Sequence, residues 1–336
     1  MRNSLVGIKP TVGLTSRAGV IPESEHQDSV GTFGKCVRDA TYALDAIYGI
    51  DDRDQYTLAQ KGKTPKGGYA KLLSTKKALK GAKFGLPWKS FWQYADEEQL
   101  DTLGKVLDLI AGAGATVINE TEILDYQTIV SDSGWNWDWG TARGFPNESE
   151  YTVVKVDFYN NINAYLSELT NTPVKTLADI VKYNLDNAGT EGGAPMPDGH
   201  PAFWSGQDGF LASLETGGVK DETYVQALEF VQRTSREGID YALTHYGKLD
   251  GLLVPPDVGQ SYETSAQAGY PVITVPAGVH SESGMPFGLA ILQTAYGEDK
   301  LVKYGSAIED LLKGTEHARV RPKWLGYLQR NLPVPF

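Results

Sequence analysis

Apolar residues recur along this chain in two rhythms, one suited to strands and one to helices. Short runs with few interruptions fall at residues 5–8, 83–87, 115–118, 249–254, 272–275 and 287–292. Runs of this length predict strands, and the least interrupted of them suit burial on both faces of a sheet. The helical rhythm begins with Val37, Ala40, Thr41, Leu44, Ile47 and Tyr48 on one face, with Gly49 as the stop. Asp96 stands as an N-cap ahead of Leu100, Leu103, Val106, Leu107 and Ile110, and residues 112–114 close that helix. Further helices are predicted over 151–169 and 177–185, separated by Asn171-Thr172-Pro173. Asp221 opens a long helix whose apolar positions are Val225, Leu228, Phe230, Val231, Ile239 and Leu243. Residues 262–268 predict a helix or turn, and Leu301, Tyr304, Ile308 and Leu311 mark the last helix.

Strands alternating with helices predict the α/β class with a central sheet. The strand-helix-strand unit over 83–118 predicts a parallel pair joined by a right-handed crossover. The runs near Leu5, Val254, Val272 and Phe287 are expected to lie side by side in one core. Between these elements, residues 51–68 are polar and contain Pro65, Gly67 and Gly68, which predicts an exposed loop. Residues 189–201 form a Gly/Pro-rich loop followed by Phe203, Trp204, Gln207, Phe210 and Leu211. In the stretch 131–144, Trp135, Trp137 and Trp139 alternate with Asn136 and Asp138. Period-two alternation places three indoles on one side of an extended segment. They form either an aromatic wall for a substrate or a plug between core and loop.

The charge balance narrows the partners. With 31 Lys and Arg against 42 Asp and Glu, the net charge is −11. No basic run or basic helical face is available to neutralise phosphates, so a nucleic-acid partner is not expected. The single cysteine, Cys36, excludes an internal disulfide framework and a Cys-based metal site, and it reads as a packed, inert thiol. No apolar run reaches the about 18 residues of a membrane span. No charged segment followed by an apolar one opens the chain, which favours an intracellular location. Oligomeric state is not readable from these features.

Hydrolytic chemistry needs a nucleophile, a base to activate it and donors for the developing oxyanion. The available bases are His26, His200, His245, His280 and His317, and none stands at a spacing that implies a Ser-His-Asp arrangement. There is no Gly-x-Ser-x-Gly elbow and no His-x-x-x-His. Residues 62–68 carry lysines without the Gly-Lys-Ser/Thr ending of a phosphate loop. Spacing therefore assigns no catalytic, cofactor-binding or metal-ligating residue. Asp28 reads as a structural acceptor for loop amides, and Arg17 and Arg38 as structural cations.

The ordered motifs carry more. Gly7-Ile8-Lys9-Pro10-Thr11-Val12-Gly13 is followed by Asp28-Ser29-Val30-Gly31, then by Arg38 and Asp39 on a helix. Near the C-terminus come Asp250-Gly251-Leu252-Leu253-Val254-Pro255-Pro256, then residues 268–278, then Gly284-Met285-Pro286-Phe287-Gly288-Leu289, and finally a helix with Glu309. In this order they resemble the distal half of the amidase signature family, closest to its fungal-type amidases. The resemblance spans most of the chain, with roughly 50–240 as the family's variable part. It implies a mixed central β-sheet flanked by helices on both faces, in a single amidase-signature domain over 1–336. It also implies hydrolysis of carbon–nitrogen amide bonds in a small-molecule substrate, without a cofactor.

Family members use a Ser, a second Ser on a cis peptide and a Lys, all upstream of the Lys-Pro-Thr element. The resemblance therefore implies a chain truncated at its N-terminus, with no catalytic residue present. Lys9 belongs to the distal element as a structural residue, and Ser4 lies downstream of the nucleophile's place. Two readings follow. In the first, the chain is an incomplete amidase, inactive alone. In the second, it is a non-hydrolytic binding or scaffold protein, or an enzyme repurposing the remnant pocket.

Overall fold

A computed structural model describes residues 2–129 and 144–321. Its centre is a seven-stranded sheet in the order β2-β1-β6-β7-β5-β3-β4. In chain order the strands are β1 (Val6–Lys9), β2 (Thr32–Gly34), β3 (Lys83–Leu86), β4 (Thr116–Asn119), β5 (Gly251–Val254), β6 (Val272–Val279) and β7 (Pro286–Leu292). β3 pairs in parallel with β4 and β5, while the remaining neighbours are antiparallel. The sheet is therefore mixed. The four runs expected side by side do lie so, because β1, β6, β7 and β5 are consecutive across it.

Among the described residues, the helices of eight or more residues are α1 (Val37–Ile47), α2 (Glu97–Gly112), α3 (Glu150–Glu168), α4 (Leu177–Asp186), α5 (Asp208–Glu215), α6 (Glu222–His245), α7 (Gly259–Ala268) and α8 (Glu298–Leu312). Period two in the strands divides their apolar residues between two cores. Val6, Ile8, Phe84, Leu253, Ile273, Val275, Leu289 and Ile291 face one side, where they meet Val37 and Leu44 of α1, Leu103 and Val106 of α2, and Leu301 and Ile308 of α8. Leu252, Val254, Ala290 and Leu292 face the other, against Val231, Ile239 and Leu243 of α6. Beyond α6 lies a further helical layer. Val153 and Val156 of α3 pack on Tyr224 and Ala227, and Ile162 and Leu166 meet Leu177 of α4 with Phe210 of α5.

Local chemistry explains some of the boundaries. Asp96 accepts from the Gln99 amide and Asp221 from the Tyr224 amide, each an N-cap at the predicted place. The β6–β7 pairing shifts register between Pro276 and Gly278. A Cβ on Gly278 would come within 2.4 Å of the Phe287 ring, so that crossing needs glycine.

Two expectations change, for the stretch 51–68 and for Val225 on α6. The polar stretch 51–68 is not simply an exposed loop. Gln55–Gln60 forms a 3₁₀ helix in which Thr57 and Gln60 are buried, and the Gln60 amide donates to the carbonyls of Gly13, Leu14 and Gly49. Its polar side chains serve as internal donors, which composition alone does not show. On α6, Val225 is 44% exposed and the buried face runs through Tyr224, Ala227 and Val231. Residues 262–268 belong to the full helix α7, and the short edge strand β2 appears with no apolar run to announce it. The Trp135, Trp137 and Trp139 segment lies outside the described residues.

Leu253, fully buried in the central strand β5, tests the core directly. Leu253→Ala is expected to lower stability by about 2–5 kcal/mol in urea denaturation, because the two sheet faces limit collapse around the cavity.

Candidate functional site

The segment from Lys9 to Val30 leaves β1 and is tied down at three places. At its start, Lys9 lies on the face of β1 opposite Val6 and Ile8. Its Nζ donates to the carbonyl oxygens of Tyr270 at 2.8 Å and Pro10 at 3.3 Å. Burial pushes the ammonium down to about 8, with the Glu298 carboxylate opposing that drop. The Thr11 amide donates to Glu298 Oε1 at 2.6 Å, and the Tyr296 amide donates to Thr11 Oγ1 at 2.8 Å. Glu298 opens α8, where the helix dipole favours an anion, yet burial raises its pKa above the ordinary carboxylate value. Gly13 then turns with φ +86°, and a Cβ there would meet the Tyr56 carbonyl oxygen at 2.4 Å.

The second tie is Arg17. Its Nε and Nη2 donate to the two carboxylate oxygens of Asp54, both at 2.8 Å, and Nη1 reaches the Glu25 carbonyl. Burial disfavours the Asp54 charge, but the Arg17 hydrogen bonds outweigh it and hold the carboxyl below its usual range.

The third tie is Asp157, a residue of α3 with no solvent exposure. Its Oδ2 accepts from Ser24 Oγ at 2.5 Å and from His26 Nδ1 at 2.7 Å, and its Oδ1 accepts from the Tyr224 hydroxyl at 2.6 Å. Burial would raise its pKa, but these three donors bring it below the ordinary value. With Asp157 ionised, His26 Nδ1 is the donor in that pair.

Ser, His and Asp therefore meet here, but not as a catalytic relay. A relay passes the serine proton to the imidazole and orients the imidazole with the carboxylate. Here Ser24 and His26 both donate to one carboxylate oxygen, and Ser24 is buried. Glu25, His26 and Asp157 also bring one ligand atom each within 4.8 Å of one another. Glu25 is held by Lys220 at 2.9 Å, and the other two are paired together, so this set is arranged for hydrogen bonding rather than metal ligation.

Two clefts border the tethered segment. One, of about 670 Å³, lies between Arg17, Ile21, Glu25 and Asp28 on one side and Asn161 and Tyr165 of α3 on the other. The second, of about 340 Å³, is lined by Thr11, His26, Tyr56, Arg236, Tyr270 and Tyr296 among others.

Of the remaining sequence candidates, Asp28 lies within this segment on the wall of the larger cleft, and the others stand apart. Asp28 accepts from the Glu23 amide at 2.8 Å, as a structural acceptor would. Ser4 is buried, with its hydroxyl on the Val320 carbonyl. Arg38 is exposed, and burial pushes the half-buried Cys36 thiol up. His200 accepts from the Ala202 amide, His245 stacks on Tyr241, His280 pairs with Glu98 and His317 lies beside Glu316. Glu309 accepts from the Val37 amide at 3.0 Å and so caps α1 from α8.

The family model described as Amidase matches residues 2–193, more than half of the chain. The chain belongs to the amidase family. A Schizosaccharomyces pombe protein named as an amidase is 54% identical across 99% of this chain and 57% of its own length. An Arabidopsis thaliana protein, likewise named, is 35% identical across 92% of this chain and 53% of its own. The chain thus spans about half the length of the curated relatives it matches. Among solved structures, the peptide amidase of Stenotrophomonas maltophilia superposes with a TM-score of 0.74 at 28% identity, covering 95% of this chain and 60% of that one.

In this amidase-family chain a further buried acid escaped sequence reasoning. Glu150, in the first turn of α3, is buried against Glu263 and Gln267 of α7. Burial and the neighbouring Glu263 carboxyl raise its pKa well above the model-compound value of 4.5. In the unfolded chain Glu150 gives up its proton near 4.5, whereas the folded protein retains it to higher pH. Its contribution to stability is therefore full below that value and declines as pH rises through the folded pKa. Glu150→Gln is expected to flatten this decline, so that thermal melts at mildly acidic and mildly alkaline pH differ less than in the parent. An unchanged pH profile contradicts the assignment.

Proposed function

We propose that this chain is the distal portion of a fungal-type amide-bond hydrolase. In this reading its substrate is a small-molecule amide and its nucleophilic segment lies outside the 336 residues. The observation carrying the proposal is the Schizosaccharomyces pombe relative, 54% identical over nearly all of this chain, which itself accounts for only 57% of that protein. The motif order and the buried engagement of Ser24 and His26 support the same reading. So does Phe33, 75% exposed on edge strand β2, an apolar ring that a further segment would cover. Residues 1–336 are taken as a single domain, with the pairing of β1 to β6 in support. A non-hydrolytic binding role is the second reading, favoured by the formed cleft at Arg236 and Tyr270.

The chain alone is expected not to hydrolyse amides or esters at an enzymatic rate. Binding and oriented donors without a nucleophile leave only about 10³–10⁴-fold over water in a well-studied protease. The purified chain and a version extended upstream are to be treated with a serine-directed fluorophosphonate and a panel of aryl amides. Labelling and turnover in the extended version alone are expected. Stoichiometric labelling of a serine in the short chain, with turnover lost on its mutation, would overturn the proposal. Silence in both favours the binding reading.

A further inference from the structure

We propose that the smaller cleft, between the Thr11–Val12 turn, the 3₁₀ helix bearing Tyr56 and the face of α6, binds a small carboxylate carrying an aromatic or other apolar group. Its volume of about 340 Å³ is that of a small-ligand pocket. The walls are largely apolar, with the rings of Tyr56, Tyr270 and Tyr296 among alanines and backbone, and they suit a flat hydrocarbon body.

The polar groups set the sign of the ligand. In a chain carrying 42 acidic side chains, none of the residues lining this cleft is Asp or Glu. Arg236 lines it. Its Nε donates to the Ala268 carbonyl at 2.9 Å, which holds the guanidinium plane against the cleft wall. Among the described residues no carboxylate pairs with its two terminal nitrogens, which leaves a planar pair of donors matched to a carboxylate. His26 also lines the cleft, but with Nδ1–H donating to Asp157 the Nε2 of the neutral ring is an acceptor, so the match to a carboxylate rests on Arg236. The Gln232 amide adds a neutral partner on the same helix as Arg236. Two more cations sit on the wall rings, with Arg17 4.4 Å from the Tyr56 centroid and Lys63 4.4 Å from the Tyr296 centroid.

The acids nearest the walls each have donors of their own. Asp157 is held by Ser24, His26 and Tyr224, and Asp54 by Arg17. Asp240 accepts from the Tyr270 hydroxyl at 2.7 Å, and Glu298 from the Thr11 amide. The cleft thus presents an unpaired cation beside apolar walls. A neutral amide of the same shape gains the walls but not the charge-assisted pair.

The test is calorimetric titration of the full chain with sodium benzoate and, separately, with benzamide. Benzoate is expected to bind saturably and benzamide at least about tenfold more weakly, the difference one charge-assisted hydrogen bond makes. Arg236→Gln is expected to weaken benzoate by a similar factor, with Arg236→Lys recovering part of it and Arg233→Gln, one turn earlier on α6, leaving it unchanged. Circular dichroism of each variant confirms that the fold is retained, since Arg236 and Arg233 are both exposed. Equal affinity for benzoate and benzamide would overturn the proposal. So would benzoate binding indifferent to Arg236→Gln, or the absence of saturable binding.

Discussion

A carboxylate with no exposed surface, Asp157, is the constraint on which the arrangement around the sheet depends. Removing such a charge from water costs several kcal/mol unless its oxygens are filled. Ser24, His26 and Tyr224 fill them, and they come from the long segment after β1 and from α6, while Asp157 itself sits on α3. One side chain therefore joins the segment to both helices that border it. The other ties act at its start and middle, through Lys9 on the Tyr270 carbonyl and Arg17 on Asp54. With these in place, a segment of irregular backbone has a defined position, and both clefts take their shape from it.

The buried acids fall into two groups with opposite consequences. Asp157 and Asp54 have enough donors to stay charged, and they rigidify what they touch. Glu150 and Glu298 are buried with too few donors, and their carboxyls hold protons to higher pH. Glu298 Oε2 has no hydrogen-bond partner among the described residues. The first group orders the segment near the clefts. The second makes the helix starts of α3 and α8 sensitive to pH.

Much of the sheet was legible because strands buried on both faces read as apolar runs whatever their partners. The runs at β1, β5, β6 and β7, and the capped helices at Asp96 and Asp221, needed only local pattern. Lys9, Arg17 and Asp28 were also read as structural residues. Their partners were not. Asp54 lies in a stretch that reads as polar loop, and Asp157, Glu150 and Glu298 occupy helices where a charged residue is ordinarily assigned to solvent. Their partners lie 37 to 287 positions away along the chain for Arg17–Asp54 and Thr11–Glu298 respectively, beyond the reach of any periodicity. Arg236 gave no signal either, since one exposed cation on an amphipathic helix is unremarkable until the cleft beside it is seen.

Hydrogen exchange on Asp157→Ala tests this account most directly. The Gln27 and Asp28 amides both donate to the Ser24 carbonyl, in the turn that Asp157 anchors. The account predicts that these amides lose protection in the variant, while those of β5, β6 and β7 keep theirs relative to one another. If residues 23–30 retain their protection, or if the strands open as readily as the turn, Asp157 is not what holds the segment in place.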